Sequence, residues 1–366
     1  MKNTFGNSLM ITIFGESHGP YIGATLDGLA PGITVDEDYI KSQLSLRRPS
    51  GKISTARVEA DEYEIVSGLF NGKTTGTPLT IIIPNKVQHS KDYDTMARVA
   101  RPGHADYTAY CKYHGYEDFR GGGHFSGRIT AAIVAAGAIV NLALKEKGIE
   151  IGTHIYSCGG VKDAPFSNLP MQITEVNSKA FALIDDSVKE PMLAMMEAVA
   201  GEGDSVGGVL ETAITGMPKG VGEPWFDTVE GVLSHAIFSI PAIKGIQFGA
   251  GFDMVDMKGS EYNDPLRVEN ETIVTTSNNN GGINGGITNG MPIVFRSAVK
   301  PTPSIYKEQK SVDFINGKNE DLSIQGRHDP AIIHRARVVV DSVSALVMYD
   351  LLAGRFGTDY FGDWSR

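Results

Sequence analysis

Apolar residues alternate with polar ones, or recur every three to four positions, over enough of the chain to predict most of its regular elements. Residues 9–14 and 22–26 read as strands on either side of Gly15-Glu-Ser-His-Gly-Pro20. A helix capped by Asp36 turns Ile40 and Leu44 inward and ends at Arg47-Arg48. Residues 63–70 alternate, Asn71-Gly72 is a hairpin turn and 79–83 is the returning strand, so antiparallel pairing begins early. From Pro84 to Gly123 no period is sustained, the mark of a binding or lid element. An alanine-rich helix over 129–144 follows, with Ser126 as its N-cap and Gly148 beyond its end.

Further along, strands are expected at 150–158, 208–215 and 243–248, with helices near 191–200 and 226–237. The tract 276–292, with Asn278-Asn-Asn-Gly-Gly-Ile-Asn-Gly-Gly286, reads as irregular backbone. Residues 292–299 form a strand that leads into Lys300-Pro-Thr-Pro-Ser304. The last helix opens at Asp329-Pro330, runs to Leu352 and stops at Gly354. Strand pairs interleaved with helices, without a repeating β-α-β period, predict an α+β fold with largely antiparallel sheet.

Composition narrows the function. The 366 residues can bury a large core, and no Pro/Ser-rich tract, charge run or repeat marks a linker, so one domain over 1–366, or two closely fused halves, is expected. Two cysteines, Cys111 and Cys158, are too few for a disulfide framework, and the longest early apolar run, 9–14, is too short for a signal or membrane segment. The expectation is a cytoplasmic protein. A net charge of −10 argues against a nucleic-acid or anionic-membrane surface. Yet most of the 14 arginines cluster in stretches rich in Gly and His, which focuses positive potential for a small, multiply anionic ligand.

Three stretches carry chemistry. Arg120-Gly-Gly-Gly-His124-Phe125-Ser126-Gly-Arg128 empties onto the N-terminus of the alanine-rich helix, where unpaired N–H groups, Arg120 and Arg128 suit an anion. Arg101-Pro-Gly-His104-Ala-Asp106 holds an imidazole in a rigid turn, and Gly326-Arg327-His328-Asp329-Pro330 sets three ionisable groups at a helix start. Gly15-x-Ser17-x-Gly19 matches a nucleophile elbow, but that elbow needs a helix directly after the serine, and here Pro20 and a β-like run follow. A serine hydrolase is therefore a distant alternative. No His-Glu-x-x-His or Cys-x-x-Cys spacing points to a metal.

Gly-Glu-Ser-His-Gly, Arg-Pro-Gly-His-Ala-Asp, Arg-Gly-Gly-Gly-x-x-Ser-x-Arg, Gly-Gly-Ile-x-Gly-Gly, Lys-Pro-Thr and Gly-Arg-His-Asp-Pro, in this order from Phe5 to about Ser344, together resemble the chorismate synthase family. The resemblance implies a sandwich of largely antiparallel sheets flanked by helices, a homotetramer, and a lyase of aromatic amino-acid biosynthesis. That lyase converts 5-enolpyruvylshikimate 3-phosphate to chorismate and phosphate by anti-1,4 elimination, with reduced FMN that is not consumed overall. By motif, His18 protonates the departing phosphate, His104 sits by the N1–C2 region of the flavin and Asp329 serves proton traffic at N5, with Ser17 and Ser126 in support. Arg47, Arg48, Lys52, Arg101, Arg120 and Arg128 would bind substrate anions. Flavin contacts would come from His124, Phe125, Ser126, Pro241, Ala242, Gly285, Gly286, Lys300, Pro301, Thr302, Pro303, Ser304 and Arg327.

The chain departs from the family pattern at several points. His124-Phe125 stands for the commoner Arg-Ser, Pro241 for a frequent Asn, Asp341 for Glu and Lys52 for Arg, the last costing a bidentate grip. A non-catalytic FMN or phosphometabolite binder is the alternative reading, and intact His18, His104 and Asp329 speak against it. Some relatives reduce flavin themselves with NADPH. Without a Gly-x-Gly-x-x-Gly after a strand, an external flavin reductase or reductant is expected here.

Overall fold

In chain order the elements are β1 (Thr4–Phe5), β2 (Met10–Gly15), β3 (Tyr21–Asp27), α1 (Glu37–Arg47), β4 (Glu64–Ser67), β5 (Leu69–Phe70), β6 (Lys73–Thr74), β7 (Leu79–Pro84), α2 (Asp106–Tyr113) and α3 (Thr130–Glu146). There follow β8 (Glu150–Cys158), β9 (Val161–Lys162), α4 (Leu169–Ser178), α5 (Lys189–Gly201), β10 (Gly208–Thr215), α6 (Val229–Ile237), β11 (Ile243–Phe248) and the short α7 (Gly259–Tyr262). The hairpins β12 (Leu266–Glu269) to β13 (Thr272–Thr275) and β14 (Ile283–Asn284) to β15 (Ile287–Thr288) precede β16 (Ile293–Val299). A last hairpin, β17 (Gln309–Asp313) to β18 (Lys318–Leu322), precedes α8 (Ile333–Phe356). The computed structural model describes residues 2–48, 61–86, 97–324 and 329–362.

Two five-stranded sheets, β1-β2-β3-β7-β4 and β11-β16-β10-β8-β9, are antiparallel throughout. Alternation sets the inward face of the first: Ile22, Ala24 and Leu26 of β3 oppose Ile83, Ile81 and Leu79 of β7, all fully buried. Helix α3 packs on β3 and β7, α8 packs on β8 and β10, and the two helices pack on each other between the sheets. The flanking position expected of helices is taken by α4, on β8 and β10. The close approach of the central pair has a local cause, since a Cβ on Gly137 would lie 2.4 Å from that of Ser342. Helix α3 is long and apolar enough to cross a membrane, but 89% of its apolar window is buried in this core, which accounts for its composition.

Several expectations need correction. The irregular stretch after Pro84 contains α2, and the Asn-Gly-rich tract contains the β14–β15 hairpin. Asn71-Gly72 closes only the short β5–β6 pair, while β7 pairs with β3 and β4. Helix α8 begins four residues after Asp329, because that carboxylate is paired with Arg335 and does not cap. It also runs through Gly354 to a stop at Gly357. A Cβ on Gly354 would meet only Ser8 Oγ, at an ordinary contact distance of 3.5 Å, so the helix has room to continue through it.

Candidate active site

The first sheet delivers Ser17 and His18 in the turn between β2 and β3. Both are buried, at 4% and 3% exposure. Ser17 N–H donates to the Gly123 carbonyl (3.1 Å) and its hydroxyl to the Arg120 carbonyl (3.1 Å). With its one proton so committed, Ser17 Oγ accepts from His18 Nδ1, also 3.1 Å away. On the far side Asn85 Nδ2 donates to the carbonyls of Glu16 (2.9 Å) and Gly19 (2.8 Å). Because β3 follows at once, the nucleophile-elbow geometry is missing and the hydrolase alternative falls.

The glycine loop presses on two imidazoles. A Cβ on Gly121, at φ +58°, would lie 2.2 Å from His18 Cε1, and one on Gly122, at φ +87°, would lie 3.2 Å from His104 Cε1. A side chain at Gly121 would displace His18, and one at Gly122 would need His104 to give by a few tenths of an ångström. Ser126 accepts from Arg128 N–H at 3.3 Å, capping the turn that enters α3 as the sequence predicts. His124 Nδ1 donates to the Gly15 carbonyl at 2.7 Å, and Phe125 meets Tyr113 edge-on at 6.1 Å between ring centroids.

His104 stands at the mouth of α2, 2.6 Å from Asp106 Oδ1. Burial alone would raise the Asp106 carboxyl, but hydrogen bonds and charge from Arg101 and His104 outweigh it and hold the group well below the ordinary carboxylate range. The β17–β18 hairpin clamps this segment from outside: Arg98 pairs with Asp313, Ser311 Oγ donates to the Ala100 carbonyl, and Val99 packs with Leu322 and Ile324. The Lys300 ammonium donates to the Gly103 carbonyl, and Pro303 lies against the same glycine. Burial, and then the neighbouring Lys244 charge, pushes Lys300 below its ordinary value.

Charge is distributed unevenly among the predicted anion ligands. Asp106 takes Arg101 bidentately (2.8 and 2.7 Å), and Asp118 takes Arg120 likewise (2.8 and 2.7 Å). Asp118 is accordingly held below the ordinary carboxylate range by Arg120. By contrast Arg47 (2.9 Å), Arg48 (3.9 Å) and Arg128 all converge on Asp61, whose side chain is fully buried. Arg128 also donates to Asn85 Oδ1 at 3.1 Å, tying this cluster to the Ser17–His18 turn. Arg335 donates to the Arg47 carbonyl at 2.8 Å and pairs with Asp329, which brings that carboxylate to the arginine side.

Lys52 and Arg327 lie outside the described residues. Pro241 precedes Ala242, whose φ is +75° and whose carbonyl accepts from Lys300 N–H at 2.9 Å. Gly285 and Gly286 turn the β14–β15 hairpin, and Gly286 accepts from Val229 N–H at 3.0 Å, at the start of α6. Pro301 to Ser304 leave β16 beside the His104 loop. There the Thr302 hydroxyl is buried without a hydrogen-bond partner among the described residues. That unmet hydroxyl and the two crowded ammonium groups of Lys300 and Lys244 fit the polar edge and phosphate of a flavin mononucleotide. Sequence reasoning missed Asp61, Asn85, Asp106, Asp118 and Arg335. Asp106 and Asp118 had a local signal, two residues from His104 and Arg120, and Arg335 stood among the clustered arginines, whereas nothing marked Asp61 or Asn85.

The sequence model of the chorismate synthase family matches residues 9–353. The chorismate synthase of Korarchaeum cryptofilum is 44% identical over 347 residues, covering 94% of this chain and 96% of its own length. That of Dehalococcoides mccartyi is 44% identical over 354 residues, covering 96% of each. A crystal structure of chorismate synthase superposes with a TM-score of 0.76 at 29% identity, over 96% of this chain and 94% of the other. By sequence over nearly its whole length, and by fold, the chain belongs to the chorismate synthase family.

Proposed function

We propose that the region where the glycine loop meets the Asp61 arginines is where this lyase eliminates phosphate from 5-enolpyruvylshikimate 3-phosphate to form chorismate. The observation that carries the reading is the meeting, at one glycine loop, of two imidazoles with a cluster in which three guanidiniums share one carboxylate. A substrate with two carboxylates and a phosphate matches that surplus of positive charge.

Arg47, Arg48 and Arg128 grip the anionic groups and orient the ring, with Lys52 as a further cation. Arg120, already paired with Asp118, contributes at the rim. His18 delivers a proton to the departing phosphate, its orientation fixed by Ser17. His104 sits beside the N1–C2 region of the cofactor, and Asp329 relays proton traffic while Arg335 anchors it. Lys300 to Ser304, Ala242, Pro241, Gly285, Gly286, His124, Phe125, Ser126 and Arg327 hold reduced FMN. When bound, that flavin supplies an electron-rich ring which assists phosphate loss and is restored at the end of the cycle. An outside reductant supplies it in reduced form.

The chain is further read as one cytoplasmic domain that assembles as a homotetramer. A single core cluster joining residues of both sheets supports the one domain. Trp225, Phe226, Phe252 and Val255, exposed at 85, 93, 76 and 72%, are apolar side chains that association of copies would bury.

An anaerobic assay with 5-enolpyruvylshikimate 3-phosphate and dithionite-reduced FMN, following chorismate and phosphate together, tests the reading. Equal yields are expected, and none when NADPH and oxidised FMN replace the dithionite. His18→Ala and His104→Ala are each expected to slow turnover about a hundredfold or more with the fold retained. Wild-type rates in both would remove them from the mechanism. Folded protein that binds FMN and yields no product would make the chain a binder only.

A further inference from the structure

Asp106 has no part in the roles above, yet both of its carboxylate oxygens are engaged beside His104. It opens α2, where the helix dipole favours negative charge, and it accepts from Arg101 Nε (2.8 Å), Arg101 Nη2 (2.7 Å) and the Arg101 backbone N–H (2.9 Å). Its side chain and that of Arg101 are each 8% exposed. We propose that Asp106 is a positioning residue for His104: it fixes the imidazole in the tautomer protonated at Nδ1, so that Nε2 faces the glycine loop, and Arg101 serves this carboxylate instead of the substrate.

Two contacts compete at Nδ1, and the one to Asp106 is the shorter. Oδ1 of Asp106 lies 2.6 Å from His104 Nδ1, a separation that requires a shared proton. Held well below the ordinary carboxylate range, Asp106 is ionised and has no proton to give, so the proton belongs to Nδ1. Arg101 Nη2 also approaches Nδ1, at 2.9 Å, where it could donate only to a bare nitrogen, but its bond to Asp106 Oδ1 is shorter, at 2.7 Å. Both N–H groups therefore point to Oδ1, which has two lone pairs to receive them. The opposite edge of the ring faces Gly122, where a Cβ would come within 3.3 Å of Nε2. His104 also lines a small cavity with Ala109, Glu117, Asp118, Gly122 and Phe125. With its charge matched by Asp106 at two points, Arg101 has little left for a substrate anion.

The catalytic consequence rests on the proposed role of His104; the tautomer does not. Neutron diffraction from wild-type crystals, or 15N spectra of histidine-labelled protein with His104→Gln for assignment, locates the proton without any turnover. Nδ1–H in the wild type supports the proposal, and Nε2–H overturns it, whether or not any variant folds. In Asp106→Asn the amide can donate to Nδ1, so the proton is expected to move to Nε2. Turnover should then fall about a hundred- to ten-thousandfold with KM changed by less than about twofold. Asp106→Glu should restore the Nδ1 proton. Arg101→Lys should lower kcat and leave KM within about twofold, whereas a tenfold rise in KM would return Arg101 to the substrate. A tautomer that switches in Asp106→Asn while kcat stays unchanged would uphold the positioning and remove His104 from the chemistry.

Discussion

Asp61 is the residue on which the anion site turns. One buried carboxylate faces Arg47, Arg48 and Arg128, and burial pulls the Arg47 guanidinium below its ordinary value while Asp61 raises it and Arg335 and Arg128 depress it further. Asp61→Asn leaves those cations facing one another and should cost about 3–5 kcal/mol in urea unfolding. Because the site is built for anions, sulfate should recover much of that loss, and sodium chloride at equal ionic strength should not. Equal recovery by both salts would mean that the arginines form no anion site. The arginines themselves were legible in the sequence from their clustering with Gly and His. Asp61 was not, since it meets Arg47 and Arg128 across 14 and 67 residues and nothing local marks it. The glycines were legible as a loop before a helix, but their need to clear His18 and His104 became visible only when β2 and the loop met.

Elements buried along most of their length were readable, and largely exposed ones were missed. Helix α3 buries residues 130–141 without a break, and strands β8, β10 and β11 match their expected bounds because two-residue alternation or a continuous apolar run marks them. Hairpins β12–β13 and β17–β18 hold mostly exposed and half-buried residues, with a single buried position in each of β13, β17 and β18. Helix α2 buries only Ala109 and has no side-chain cap, so neither period nor start signal announces it. At the far end of α8, Asp350 was equally silent. Its carboxylate accepts from the backbone N–H groups of Asn7 (3.1 Å), Ser8 (2.6 Å) and Leu9 (2.8 Å), fastening the entry of the first sheet to the central helix. Asp350→Ala strands those donors and should cost about 2–4 kcal/mol, read as a lower denaturation midpoint. Turnover per folded molecule should be unchanged, and a fall in kcat would show that this fastening reaches the active site.

At the scale of the molecule, an α+β fold of antiparallel sheets followed from the order of elements, but the placement of α3 and α8 between the sheets did not. That layering requires knowing which faces of two sheets meet the same helices, and alternation within one strand says only that a face is buried. It also creates a polar row on the second sheet, where His154 of β8, Glu211 of β10 and Arg296 of β16 stand in register. His154 Nδ1 lies 2.9 Å from Asp163 and Nε2 3.0 Å from Glu211, both ring nitrogens engaged by carboxylates. Burial lowers the His154 pKa, but the hydrogen bonds and charges of Asp163 and Glu211 outweigh it, and the net direction is upward. The same contacts outweigh burial for Asp163 and Glu211, whose pKa values move down. A raised histidine contributes stability fully below its unfolded value, about 6.5, and loses it as pH rises through the folded value. The lowered carboxylates contribute above their unfolded values, about 4, and lose it as pH falls. The cluster is therefore at full strength between about pH 4.5 and 6.5. His154→Gln removes the titrating ring, so the gap in melting temperature between wild type and variant should be widest near pH 6 and narrow steadily toward pH 9. A gap of constant size across that range would mean that His154 is neutral in the folded protein and that the row is held by ordinary hydrogen bonds.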